Sequence, residues 1–203
     1  MLVDSNAFPA EVSGLTRVFI GGSRRISRLT SEVQARIDRI VDKDLAVVIG
    51  DANGADKAVQ QYLSQRGYTR VEVFCSDAKP RNNIGAWPVR VVRPAHSRRD
   101  FDYYATKDRA MASEATVGLM LWDGRRRGTL LNVLRLAKQG KPTVFYVVPK
   151  RTFSEVRTIG DFDVLVAHLD RPTLRQLHTQ AAGEDLPRGG TASFAIASLV
   201  PCD

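Results

Sequence analysis

The stretch Arg17-Val-Phe-Ile-Gly-Gly-Ser-Arg-Arg25 decides how the rest of the chain is read. Arg17 to Ile20 is a short run of β-branched and aromatic residues. Gly21-Gly22 stops it, as expected of a buried strand that ends in a tight turn. Downstream, Val33, Ile37, Ile40 and Val41 fall on one stripe of a helix. Ser31 with Gln34 three residues on predicts a capping box at its start.

The same alternation continues outward from this first unit. Ala46 to Ile49 is a second apolar run, stopped by Gly50. A helix from about Gly54 to Gln65 carries Ala55, Ala58, Val59, Tyr62 and Leu63 at helical spacing, with Gly67 as terminator. Val71 to Phe74 reads as a third strand. Pro80, Asn82, Asn83, Gly85 and Pro88 then mark a loop over Cys75 to Pro88. Val89 to Val92 is a fourth strand, Asp100 to Glu114 a helix, and Val117 to Trp122 a fifth strand. Gly128 to Gln139 is a helix with Leu130, Leu134 and Ala137 inward, Gly140 just past its end and Pro142 beyond. Thr143 to Val148 is the sixth strand. Apolar runs alternating with amphipathic helices predict an α/β fold whose mainly parallel sheet, of about six strands, is covered on both faces.

Beyond Pro149 the pattern weakens. Phe162 to Ala167 reads as an edge strand and Arg171 to Ala182 as a short helix. The tail from Gly183, with Gly189-Gly190, suits either a disordered segment or a packed arm. The organisation expected is an N-terminal arm over 1–16, one domain over 17–150 and a C-terminal appendage over 151–203, part of it disordered.

Composition agrees with one ordinary domain. The chain has 203 residues, 43% of them hydrophobic, with 15 Gly and 9 Pro. That is too apolar for a disordered chain and too poor in Gly and Pro for a fibrous one. Cys75 and Cys202 form neither a disulfide framework nor a zinc pattern. No run approaches the ~18 apolar residues of a spanning helix. Met1 to Gly14 carries Asp4 and Glu11 without a basic start, so it does not read as a signal peptide. A soluble cytoplasmic protein, without a membrane partner, is expected. The net charge of +8, 30 Lys and Arg against 22 Asp and Glu, suits polyanionic partners or simple solubility.

In an open parallel sheet, ligands gather at the carboxyl ends of the strands. Three glycine-bearing turns fall there. The first is Gly21-Gly22-Ser23-Arg24-Arg25, where glycine permits close backbone approach, Ser23 offers a hydroxyl and Arg24 a charged fork. It equally suits a turn that merely needs glycine, and it is not the GxGxxG fingerprint. The second runs Gly50-Asp51-Ala52-Asn53-Gly54-Ala55-Asp56 into a helix. Its amides suit an anion, while Asp51 and Asp56 better accept bonds from ribose or base groups. Helix capping by Asn53 or Asp56 is the plainer alternative. The third is Trp122-Asp123-Gly124-Arg125-Arg126-Arg127-Gly128-Thr129. Gly124, Arg127, Gly128 and Thr129 bring amides, charge and a hydroxyl to a helix start, and a purely structural turn has no need of three arginines there. His96, His168 and His178 lack metal-ligand spacing, so no metal and no cofactor is expected.

These turns together resemble the SLOG superfamily of Rossmann-like nucleotide-binding proteins. It includes the Lonely-guy phosphoribohydrolases, the "possible lysine decarboxylase" proteins and the DNA-processing protein A group. The matching pieces are Val18-Phe-Ile-Gly-Gly-Ser-Arg24, Val48-Ile-Gly-Asp-Ala-Asn-Gly-Ala-Asp56, Lys107-Asp-Arg-Ala-Met111 and Asp123-Gly with Gly128-Thr129. They span about Arg17 to Val148. The resemblance implies a doubly wound fold, a homodimer and phosphate binding at the third turn. The helix from Asp100 to Glu114, with Phe101, Tyr103 and Tyr104, suits either a dimer interface or packing on the sheet.

Hydrolase members of the superfamily cut the N-glycosidic bond of a nucleoside monophosphate with an Arg and a Glu. The Glu position is Asn132 here, the Arg position Lys107, and the first of the paired glycines is Asp123. A neutral amide can neither activate water at neutral pH nor stabilise an oxocarbenium ion as a carboxylate does. Lys107 keeps the charge without the fork. A relocated carboxylate would have to come from Asp108, Asp123, Asp51 or Glu114, and the spacing selects none. The reading is therefore a nucleotide or phosphorylated-nucleoside binder acting as sensor or carrier. The alternatives are a phosphoribohydrolase with an altered catalytic set (Lys107, Asn132, Asp123) and nucleic-acid binding of the DNA-processing kind. Lysine decarboxylation finds no pyridoxal-phosphate pattern around Lys57, Lys107, Lys138 or Lys141.

Overall fold

A computed structural model describes residues 16–182. The N-terminal arm before Thr16, the tail from Gly183 and Cys202 lie outside the described residues. The strands are β1 (Arg17–Gly22), β2 (Ala46–Gly50), β3 (Val71–Cys75), β4 (Val89–Val91), β5 (Val117–Trp122), β6 (Thr143–Val147) and β7 (Thr152–Val156). They form one sheet in the order β4-β3-β2-β1-β5-β6-β7. Every neighbouring pair is parallel except β6 with β7. The helices are α1 (Ser31–Asp42), α2 (Ala55–Gln65), α3 (Phe101–Glu114), α4 (Arg127–Lys138), α5 (Ile159–Val166) and α6 (Arg171–Ala182).

The period of two along each strand separates the sheet into two chemically distinct faces. Val18, Ile20, Val47, Ile49, Val73, Leu119 and Leu121 point one way, onto the apolar stripes of α1 and α2. Phe19, Val48, Phe74, Met120, Trp122 and Phe145 point the other way, toward α3, α4 and α5. Both faces are buried, so the strands read as continuous apolar runs. Each fully buried side chain of this size contributes about 1.5–3 kcal/mol.

α4 is enclosed on all sides: every residue from Thr129 to Ala137 is buried. The sheet, α3, α5 and α6 surround it. Its sequence, Thr-Leu-Leu-Asn-Val-Leu-Arg-Leu-Ala, is apolar nearly all round, as a buried helix requires.

Two expectations are corrected. Phe162 to Ala167 belongs almost wholly to α5; Phe162 and Val166, four apart, are buried, whereas Val164 between them is 67% exposed. Their alternation imitates a strand, but the Thr158–Asp161 capping box starts a helix there. The edge strand is β7 instead, which brings the sheet to seven. No capping box forms at Ser31: the N-cap is Thr30, and its hydroxyl pairs with the Tyr146 hydroxyl at 2.9 Å. Ser31 already lies inside the first turn, too late to cap it. Within the stretch from 151 to 182, Val156, Phe162, Val166 and Leu177 are buried in the cluster that includes the apolar residues of α4.

Candidate functional site

The chain leaving β1 turns to β2 on one side, while the chain leaving β4 crosses back through α3 to β5 on the other. Connections diverge above the carboxyl ends of β1 and β5, and a crevice is expected at such a switch point. A cleft of about 470 Å³ opens there, over Phe19 and Gly21 and between α3 and α4. Of the residues selected from sequence, Gly21, Gly22, Ser23, Arg24, Asp56, Lys107, Arg127, Gly128, Thr129 and Asn132 line it. Asp51, Gly54, Ala55, Asp123 and Gly124 stand outside that lining.

Ser23 joins the three turns. Its amide donates to the Leu121 carbonyl at 2.9 Å, and its own carbonyl accepts from the Ala55 amide at 3.1 Å. Its hydroxyl donates to Asp123 Oδ1 at 3.0 Å, accepts from the Asp123 amide at 3.2 Å and lies 3.1 Å from Thr129 Oγ1. A hydroxyl carries one proton. The Asp123 carboxylate can only accept, so the Ser23 proton goes there and Thr129 donates to Ser23. Ser23 is thus a clamp, with no proton left for a ligand.

Asp123 is committed through one oxygen, while its buried Oδ2 has no hydrogen-bond partner among the described residues. Oδ1 also accepts from the amides of Arg125 at 3.0 Å and Arg126 at 2.9 Å. Burial pushes its carboxyl up, but the Arg126 and Arg125 amides and Ser23 outweigh this and hold it below its usual range. An ionised Asp123 therefore shapes the third turn and leaves the Arg125 and Arg126 side chains exposed on the rim.

The second turn is spent on structure rather than on an anion. The N-cap of α2 is Gly54 at φ +90°, with no side-chain cap from Asn53 or Asp56. Its Cα faces the Arg24 backbone so closely that a Cβ would overlap it. The Ala52 amide is taken by Asp56 Oδ2 at 3.1 Å. Asp51 receives Arg81, whose Nε lies 2.9 Å from Oδ2 and whose terminal nitrogen lies 2.6 Å from Oδ1.

Beneath the cleft lies a buried charge cluster. Lys107 is 4% exposed, and its Nζ donates to Asp108 Oδ1 at 2.9 Å with Asp51 Oδ1 3.9 Å away. A Cβ on Gly50 would collide with Asp56 Oδ2 and come within 2.7 Å of Lys107 Nζ, so glycine there admits both groups. Burial lowers the lysine's basicity, but Asp108, Asp56 and Asp51 together raise it, and Lys107 stays charged. For Asp51, burial is outweighed by Arg81 and Lys107, and its carboxyl falls.

Asp56 behaves oppositely. Burial first, and Asp108 and Asp51 after it, push its carboxyl from 3.8 to about 6 against the pull of Lys107 and the Ala52 amide. The folded state therefore takes up this proton at higher pH than the unfolded chain. Stability should rise as pH falls from about 6 toward 4, by about 3 kcal/mol for that shift. Below that window the depressed carboxyls of Asp51 and Asp123 withdraw their own contribution. Urea midpoints at pH 7, 6 and 5 should climb in that order. Asp56→Asn should flatten the climb; an equal climb in the variant would contradict the assignment.

On the facing wall, α4 starts without a side-chain cap. Its first amides, at Arg127, Gly128 and Thr129, carry the partial positive charge of the helix end. The Arg127 side chain is held by Gln176 and Gln180 of α6. Asn132 Oδ1 accepts from Arg135, which is 2% exposed and lies 4.0 Å from Asp108 Oδ2.

Sequence reasoning missed Arg135, Arg81 and the role of Tyr104. A lone arginine inside the apolar run of α4 was the available signal for Arg135. Arg81 gave none locally, because only the fold brings its loop to Asp51. Tyr104 lines the cleft with the guanidinium groups of Arg24 and Arg81 at 5.3 and 5.2 Å from its ring centre. Tyr103 is instead buried, its hydroxyl 2.7 Å from Asp77.

No protein-family model matches the chain, and no curated protein matches it in sequence. Among solved structures it is similar to DNA processing protein A from Streptococcus pneumoniae, at 16% identity and a TM-score of 0.48. That match covers 64% of this chain and 50% of the other, so the chain spans about half the length of that protein. It is also similar to DNA processing protein A from Helicobacter pylori, a structure described for its single-stranded DNA binding mode. There the identity is 12%, the TM-score 0.51, and the coverage 83% of this chain and 81% of the other. What the chain shares with the second protein is its Rossmann-like, doubly wound α/β fold.

Proposed function

We propose that the protein binds a nucleoside monophosphate or a related phosphorylated nucleoside in the cleft between α3 and α4. The observation that carries the reading is the start of α4, without a side-chain cap, which meets the β1 turn at the cleft with Arg24, Arg125 and Arg126 along the lining. Backbone amides at a helix start and guanidinium groups are the donors a phosphate ester needs. The volume of about 470 Å³ lies within the usual range for small-ligand sites.

The second reading is hydrolysis of the N-glycosidic bond. Asp56 and Asp108 favour it, since both are carboxyl groups lining the cleft. Neither occupies the position of Asn132, where the hydrolases carry their Glu, and Asn132 gives its oxygen to Arg135. Binding without turnover is therefore the preferred form.

Calorimetric titration of the full chain with AMP and CMP, followed by chromatography for released base, tests the proposal. Saturable binding without base release is expected. Replacing Arg24 and Arg126 together by Ala should weaken it roughly tenfold or more, since hydrogen bonds between charged groups are lost. Base release would establish the hydrolase instead. Failure to bind either nucleotide, with tight and steeply salt-dependent binding of single-stranded DNA, would overturn both readings in favour of a polyanion site.

A further inference from the structure

We infer that Asp56 and Asp108 read the hydroxyls of a sugar, so that the ligand is a ribose phosphate ester rather than a bare phosphate or a 2′-deoxy ester. The inference rests on the nucleotide reading and adds the part of the ligand that the floor of the cleft recognises.

The cleft is polarised. Its rim offers donors, whereas Asp56 and Asp108 offer acceptors next to one ammonium, that of Lys107. Carboxylates repel a phosphate, so a site for phosphate alone would gain nothing from two of them. In doubly wound folds, an acidic residue following the second strand commonly accepts from ribose hydroxyls. Here Asp51 follows β2 directly, but Arg81 occupies both its oxygens, and Asp51 does not line the cleft.

Asp56, at the start of α2, does line it while being only 6% exposed. Its Oδ2 takes the Ala52 amide, and among the described residues Oδ1 accepts no hydrogen bond. That oxygen is therefore open to a donor from a ligand in the cleft. Asp108 has Oδ1 on Lys107 and Oδ2 4.0 Å from Arg135, which leaves it room to accept further.

Hydroxyls fit this floor better than the amine of a base. A hydroxyl donates one proton and accepts others, so it can give to Asp56 and take from Lys107 at once. A base amine only donates. The neighbouring ammonium thus discriminates between the two donor classes.

The test compares AMP, 2′-deoxy-AMP and IMP on the full wild-type chain, and then on Asp56→Asn and Asp108→Asn. AMP and IMP should bind alike, and 2′-deoxy-AMP roughly 10- to 100-fold more weakly, the range for losing a hydrogen bond to a charged group. Asp56→Asn should shrink that ratio while leaving a melting transition that certifies the fold, and Asp108→Asn should do so in part. Equal binding of AMP and 2′-deoxy-AMP by the wild type would overturn this inference alone. Preference for AMP over IMP with no effect of the 2′-hydroxyl would assign the carboxylates to a base amine and also overturn it. Binding of none of the three would remove the nucleotide reading together with this one.

Discussion

Lys107→Met should lose about 3–5 kcal/mol of stability at neutral pH, the cost of breaking a buried ion cluster by removing one partner. The lysine is 4% exposed and holds Asp108 at 2.9 Å with Asp51 and Asp56 beside it. Methionine fills much of the same volume, so packing changes little and the loss is electrostatic. For a chain of this size the melting temperature should fall by roughly 6–20 °C. The deficit should also depend on pH. Without its ammonium neighbour, Asp56 stays protonated to higher pH, so acidification removes part of the unpaired charge. Circular dichroism melts at pH 7.5 and 5 should show the larger deficit at 7.5. A deficit of about 2 °C or less, or one independent of pH, would contradict a charge cluster at this place.

Gly54→Ala should cost on the order of 3 kcal/mol or more. Gly54 sits at φ +90° and ψ −129°, a region where a side chain is strained by about 1–3 kcal/mol before any contact is counted. The added methyl would also overlap the Arg24 backbone, which cannot move without releasing the Ser23 carbonyl from the Ala55 amide. The variant should therefore lose stability and ligand affinity together. Urea unfolding should show a lowered midpoint at unchanged slope, and calorimetry a weaker site. A stable variant with unchanged binding would mean that the first two turns do not abut.

Much of the sheet was legible because each strand of its parallel part is a short apolar run closed by glycine or a polar turn. Val117 to Trp122 and the run from Arg17 show this, since both faces of the sheet are covered and no alternation is needed. The C-terminal part misled for a physical reason. Phe162, Val164 and Val166 alternate like a strand, yet only Phe162 and Val166, four apart, are buried, and Val164 is exposed. At the site, the three turns were visible as clusters of glycine and charge, but their division of labour was not. Whether Ser23 faces a ligand or another turn depends on Asp123 and Thr129, each about a hundred residues away. Arg81 and Arg135 acquire meaning only once α4 and the loop after β3 are folded beside Asp51 and Asp108.

The saturated hydroxyl of Ser23 has one more consequence. With the β1 turn and the start of α4 riveted to each other by a serine that has no bonding capacity to spare, that side of the opening keeps its outline whether filled or empty. The entropy that a mobile loop surrenders on meeting its guest has here been surrendered already, during folding. Selectivity at such an entrance comes from a preset shape, and the guest must conform to it.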